Sequence, residues 1–168
     1  TALKEKRSAL EGEEPIASPS APKVWSVITS LTSGGAESLV VGLNSAFAAH
    51  GVDHTVIALC DAVTLGNSRE TEQRLANRIS GDGGHFVSLR LGRWRDPFNG
   101  ARALNIMLKS SAPNIIHAHT ARAVPCIKFS RFAGPVVLTH HNSELSFPAP
   151  FFRFLDRSVD RYVAISRE

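Results

Sequence analysis

Short β-rich apolar runs alternate with amphipathic stretches from residue 23 onward, and this alternation limits the fold more than any other feature. Val24–Leu31 (VWSVITSL), Val56–Leu59, Phe86–Leu89, Ile115–His119, Val136–His140 and Arg161–Ile165 read as six strands. Between them Glu37–His50, Ser68–Ile79, Phe98–Ser110, Ala123–Phe132 and Phe151–Ser158 read as helices. The first carries Leu39, Val40, Leu43, Ala46 and Phe47 on one face, and Gly51 stops it. Gly81 closes the second, Pro113 follows the third, and Gly134-Pro135 terminates the fourth. Strands with so little polar alternation must be covered on both faces, which crossover helices achieve. The predicted fold is therefore α/β, a Rossmann-like parallel sheet of about six strands with helices on both faces. In such sheets ligands bind beyond the carboxyl ends of the strands, so chemistry is sought there.

Composition narrows the classes. No run approaches the length of a transmembrane helix, and the first residues lack the apolar core of a signal peptide. Two distant cysteines, Cys60 and Cys126, exclude a disulfide scaffold and a cysteine-built zinc site and favour a reducing compartment. Residues 1–22 are polar, end in ASPSAP, and read as a flexible tail or linker with net charge −1. The domain, residues 23–168, carries +5, and fourteen of the nineteen basic residues are Arg. That surplus suits phosphate or carboxylate partners, but no nucleic-acid signature accompanies it.

The strand ends hold the polar residues. After strand one, Thr32-Ser33-Gly34-Gly35-Ala36-Glu37 opens a helix, where an anion is favoured and glycines let it approach. The same glycines suit a tight turn with positive φ, and Glu37 suits the third helical position of a capping box if Gly34 is the N-cap. The spacing is not G-x-G-x-x-G, so Asp61 after strand two does not read as a ribose-binding acid. After strand three, Arg90, Arg93 and Arg95 flank Trp94, a pattern open to a ligand, a membrane surface or a packed lid. His117 and His119 share one face of strand four. Their spacing suits a metal, yet His140, His141 and Asp61 complete no known ligand spacing, so His117 reads as a packed strand residue and His119 as the one that reaches the crevice. At the end of strand five, one of His140 and His141 faces the crevice. Ser166 suits the N-cap of a further helix.

Ser33–Glu37, Ile115–Thr120 (IIHAHT), Pro135–Asn142 (PVVLTHHN) and Arg161–Ser166 (RYVAIS), in that order and spacing, resemble the N-terminal domain of retaining GT-B glycosyltransferases of family four. The resemblance implies one half of a two-domain enzyme: this half faces the acceptor, and a C-terminal half, absent here, holds the nucleotide-sugar. It implies that Gly34, Gly35 and Glu37 lie near the donor diphosphate and sugar, that His141 hydrogen-bonds a sugar hydroxyl, and that His119, Thr120 and Asn142 line the substrate site. The implied reaction is sugar transfer to an acceptor hydroxyl with retention, in bacterial polysaccharide or glycolipid synthesis, with no metal or cofactor. The implied partners are a nucleotide-sugar and a glycan or lipid-linked acceptor, in the cytoplasm or at the inner face of the membrane, and this half alone is expected to be inactive. The adjacent His140 and His141 leave the register open by one residue.

Two other classes stand beside this one: a metal-dependent hydrolase built on His117 and His119, and a non-catalytic ligand-binding α/β domain. Phe147, Phe151, Phe152 and Phe154 crowd the segment before strand six. They either plug the core or form an exposed patch, which would meet a second domain or a lipid acceptor, or drive self-association.

Overall fold

The computed structural model describes residues 20–141 and 148–164, with the side chains of Ala149 and Phe152 left aside. Most of the tail, Asn142, Phe147, Ile165 and Ser166 therefore lie outside the described residues. Six parallel strands form one sheet: β1 (Lys23–Ile28), β2 (Asp53–Ala58), β3 (His85–Ser88), β4 (Ile115–Ala118), β5 (Val136–His140) and β6 (Arg161–Ala164), in the order β3-β2-β1-β4-β5-β6. The crossovers are α1 (Gly35–Ala49), α2 (Arg69–Gly81), α3 (Pro97–Ser110), α4 (Val124–Lys128) and α5 (Ala149–Asp156). The order reverses at β1, whose neighbours are β2 and β4, so a crevice opens past the carboxyl ends of β1 and β4.

Two apolar layers cover the sheet. On one face Val40 and Val41 of α1 and Ile79 of α2 pack on Ile28, Val56 and Ala58. On the other, Leu104 of α3, Val124 and Ile127 of α4 and Leu155 of α5 pack on Trp25, Val27, Ile57, Ile116 and Leu138. The central strands β1 and β2 therefore have apolar side chains pointing both ways and read as apolar runs rather than as alternation, whereas the edge strand β6 is exposed at all four residues.

Several boundaries move. The first helix begins at Gly35, and its buried stripe is Val40, Val41 and Asn44, with Leu39 and Ala46 exposed. Of the stripe expected at Leu39, Val40, Leu43, Ala46 and Phe47, Val40 is buried and Leu43 and Phe47 are half-buried, while Val41 and Asn44 take the places expected for Leu39 and Ala46. Gly81 is the last residue of α2, and the positive-φ residue that turns the chain is Gly83 (φ 86°). Ala123–Phe132 shortens to a 3-10 turn and α4, with the Ser130 hydroxyl donating to the Ile127 carbonyl after its end (2.7 Å). β2 begins three residues early, at Asp53. Phe151 and Phe154 stack on each other with 6.2 Å between centroids and stay two-fifths exposed or more, while Leu155 fills the core beneath. For these two rings the core reading fails.

Candidate functional site

The crevice is built from three strand ends and one helix start. Gly34 is the N-cap of α1, with extended backbone (φ −82°, ψ 173°) and no side-chain hydrogen bond to the helix. The first amides of α1 therefore have no side-chain cap. Neither Gly34 nor Gly35 has positive φ, so the tight-turn explanation fails. A Cβ at Gly34 would meet the Glu37 carboxylate, which folds back to the helix start from the third helical position, and the flexible Glu37 side chain would have to move aside. At Gly35 a Cβ would meet nothing within 4 Å. The protein's own packing gives no reason for glycine at that exposed position.

His119 lies just past β4, where its backbone N–H donates to the Val27 carbonyl (2.8 Å) at the point of strand reversal. Its ring is 3 % exposed, and neither Nδ1 nor Nε2 has a hydrogen-bond partner. On one side it lies against His117, with centroids 3.9 Å apart. On the other lies His141, at 5.9 Å, whose Nε2 is also buried and without a partner. A buried polar group left unpaired costs about 1–3 kcal/mol. Three such nitrogens in one crevice are ready-made partners for hydroxyls. The ring beside His119 is that of His141; His140 is the last residue of β5, paired with Ala164 of β6.

The histidines are held neutral. Burial, then the neighbouring His117 and His141, push His119 down to about 2. Burial and His141 push His117 down to about 4. Burial also lowers His141, against the pull of the Glu37 carboxylate and with a further push from His140. Electrostatics thus tie Glu37 at the start of α1 to His141 at the end of β5. A neutral imidazole both donates and accepts, so this cluster can orient a hydroxyl without carrying charge.

Behind the crevice is a buried polar network that the apolar pattern concealed. The Asn44 amide donates to the Ile79 carbonyl (3.0 Å), which turns its oxygen to His54 Nδ1 (2.9 Å). Nδ1 then carries the proton, and His54 Nε2 accepts from the Ser26 hydroxyl (2.8 Å). His117 Nε2 pairs with the Thr139 hydroxyl (2.7 Å). Ser26 and Thr139 are polar residues inside apolar strands, and that was the available signal. Thr120 Oγ1 accepts from the Arg122 amide (3.3 Å) and caps the following 3-10 turn, so its hydroxyl has a local structural task.

Gly34, Glu37, His119 and His141 thus meet at one crevice, with Gly35 open beside them. Among the described residues no three His, Cys, Asp or Glu side chains are arranged to hold a metal ion. The rings of His117 and His119 lie against each other at a tilt of 37°, and Nε2 of His117 is occupied by Thr139.

The family model for Glycosyltransferase Family 4 matches residues 33–168. Among solved structures, a glycosyltransferase from Rickettsia africae aligns with TM-score 0.61 and 12% identity, over 87% of this chain and 37% of that one. MurG from Acinetobacter baumannii aligns with TM-score 0.58 and 14% identity, over 88% of this chain and 42% of that one. At such identities the likeness shows the fold alone, the Rossmann-like half of a GT-B architecture. The chain spans about two-fifths of the length of these proteins. No curated protein matches the chain.

Proposed function

The chain belongs to Glycosyltransferase Family 4, and from that premise we propose that it forms the acceptor-side half of an enzyme that moves a hexose from a nucleotide-sugar to an acceptor hydroxyl with retention. The observations that carry this are the uncapped start of α1, the open space at Gly35, and the buried, unpartnered nitrogens of His119 and His141 at neighbouring strand ends. A diphosphate suits the first, since free amides and the helix dipole favour an anion. A sugar hydroxyl suits the second, since each unpaired nitrogen gains a hydrogen bond.

In this reading His141 fixes the transferred sugar and His119 the sugar or acceptor, with Thr120 and Asn142 beside them. The protein positions the reactants and stabilises the charge that develops on the departing diphosphate. Base and ribose contacts belong to the second domain, so the 168-residue chain alone does not turn over. It is expected to bind UDP-, GDP- and ADP-sugars no tighter than about 100 µM, roughly −5.5 kcal/mol. Polysaccharide or glycolipid synthesis at the inner face of the membrane fits the arginine surplus and the two buried free cysteines. No helix among the described residues is long and apolar enough to cross a membrane.

The test is product analysis with the full-length protein. Incubation with a panel of nucleotide-sugars and a membrane extract should release nucleoside diphosphate and yield a glycoside of unchanged anomeric configuration by NMR. Inversion would overturn the retaining assignment, and no release from any donor would overturn the reading. Calorimetry on the 168-residue chain supplies the second check: a low-micromolar donor affinity would mean that this half holds the donor.

A further inference from the structure

The positive charge of the chain is concentrated in one stretch. Residues 89–134 hold eight Lys and Arg against one acid, Asp96, a net of +7 in a chain whose total is +4. Everything else therefore sums to −3. Asp96 is engaged as the N-cap of α3, accepting from the Phe98 and Asn99 amides. The ion pair found among the described residues, Lys23 with Asp53, lies outside this stretch. The stretch comprises the β3–α3 loop, α3, β4 with the 3-10 turn after it, α4 and the loop before β5, and both helices cover the same face of the sheet.

That face also exposes large apolar side chains. Trp94 is 94 % exposed, Phe98 67 % and Ile106 62 %. Phe98 stacks on Phe129 at 5.0 Å, and the Lys128 ammonium sits 4.4 Å above the Phe154 ring of α5. Trp94 and Phe151 line one small cavity, which joins the loop to α5. Farther along α3, Ile106 lies in a groove of about 660 Å³ whose rim carries Arg102, Lys109 and Arg131. Apolar and cationic side chains are interleaved along the whole length of α3.

Trp94 is held outward by the loop that carries it. Leu91 is buried in the core on one side. On the other, the Arg95 guanidinium is near enough to the buried Cys60 to offset part of the rise that burial imposes on the thiol, and Arg95 Nε is itself buried. Arg90 and Arg95 both adopt left-handed backbone (φ 52° and 47°), which non-glycine residues adopt at a cost. A loop fixed this way does not fold Trp94 back onto the protein. An indole amid arginines is favoured at the headgroup level of a membrane, where the ring meets apolar matter and the cations meet phosphates.

We propose that the α3–α4–α5 face docks on an anionic lipid bilayer, with Trp94 entering the headgroup region and the lysines and arginines meeting the phosphates. A nucleic acid would use the charge and leave Phe98 and Ile106 in water. Because the β3–α3 loop stands at the carboxyl end of the sheet, docking brings the mouth of the His119–His141 crevice to the lipid surface. That last step rests on the glycosyltransferase reading and places its acceptor in the membrane; the docking itself does not depend on it.

The test uses vesicles of phosphatidylcholine alone and of phosphatidylcholine with phosphatidylglycerol. The chain has two tryptophans, and Trp25 is buried at 3 % exposure, so a change in fluorescence reports Trp94. Binding is expected on the anionic vesicles only, weakening with salt, with a blue shift and quenching by brominated lipid. Trp94→Ser should weaken binding at least about tenfold, and Arg102→Glu about fivefold or more, with unchanged circular dichroism. If Trp94→Ser fails to fold, the wild-type spectrum alone decides. Equal binding to neutral vesicles, binding without a Trp94 shift, a lipid-free dimer that buries Trp94, or an equal Trp94 shift on a polyanion such as heparin would each overturn the proposal. No nucleotide-sugar enters the experiment, so its failure leaves the glycosyltransferase reading standing, and the reverse also holds.

Discussion

The rings of His119 and His141 lie 5.9 Å apart, and their three buried nitrogens without partners come from the ends of two adjacent strands. The sheet order places them there: β4 sits beside β1 at the reversal and β5 beside β4, so both histidines emerge at the carboxyl end of the sheet, with His141 close enough to feel the Glu37 carboxylate of α1. The same burial that readies them for a ligand makes the fold sensitive to acid.

His54 and His117 are held down to about 4 and His119 to about 2, below the unfolded value near 6.5. These groups are neutral in the fold, and the unfolded chain takes up protons first as pH falls. Their stabilisation is complete above pH 6.5 and is lost as pH drops below it toward the folded values. Each fully buried ring contributes a limiting slope of about 1.4 kcal/mol per pH unit. Denaturant melts from pH 8 to 4.5 should show stability falling below pH 6.5, and His119→Gln should reduce the slope by one proton. A flat profile between pH 6.5 and 5 would refute this.

Gly35 and Gly42 make a matched pair within α1. A Cβ meets nothing within 4 Å at either. Alanine at each should stabilise the helix by about 0.5–1 kcal/mol. Gly42→Ala should leave sugar transfer unchanged, whereas Gly35→Ala should reduce it about tenfold or more by filling space that a ligand needs. Melting temperature and turnover, measured together, separate the two effects. Equal turnover in both variants would remove Gly35 from the site.

Asn44 and Gly84 are coupled through one oxygen, since a Cβ at Gly84 would collide with Asn44 Oδ1, the acceptor for His54. Gly84→Ala and Asn44→Ala should each destabilise the fold by about 2 kcal/mol, because each leaves buried partners unpaired. The double variant should cost clearly less than their sum. Strict additivity in denaturant melts would show that the network does not act as a unit.

The strands and the α/β class were legible because apolar runs were cut by Gly and Pro at short intervals. Two of the places where sequence reasoning slipped share one cause, which is polar residues used inside. Asn44 looked like the solvent face of its helix and is buried against His54. Asp53-His54-Thr55 looked like loop and forms the first half of β2. The sequence left Gly34 and Gly35 open between a ligand loop and a tight turn, and the turn needed positive φ, which only coordinates can test. The outward setting of Trp94 goes with the buried Leu91 and the left-handed backbone at Arg90 and Arg95, which no local pattern reveals.

The central claim is that His141 holds the transferred sugar, and turnover of His141→Ala beside His140→Ala in the full-length protein tests it most directly. Removing a hydrogen bond that strengthens in the transition state costs about 2.7–4 kcal/mol, a hundredfold or more in turnover. The account predicts that loss for His141→Ala with little change in melting temperature, and less than a tenfold loss for His140→Ala. Turnover abolished by His140→Ala and reduced less than tenfold by His141→Ala would contradict it.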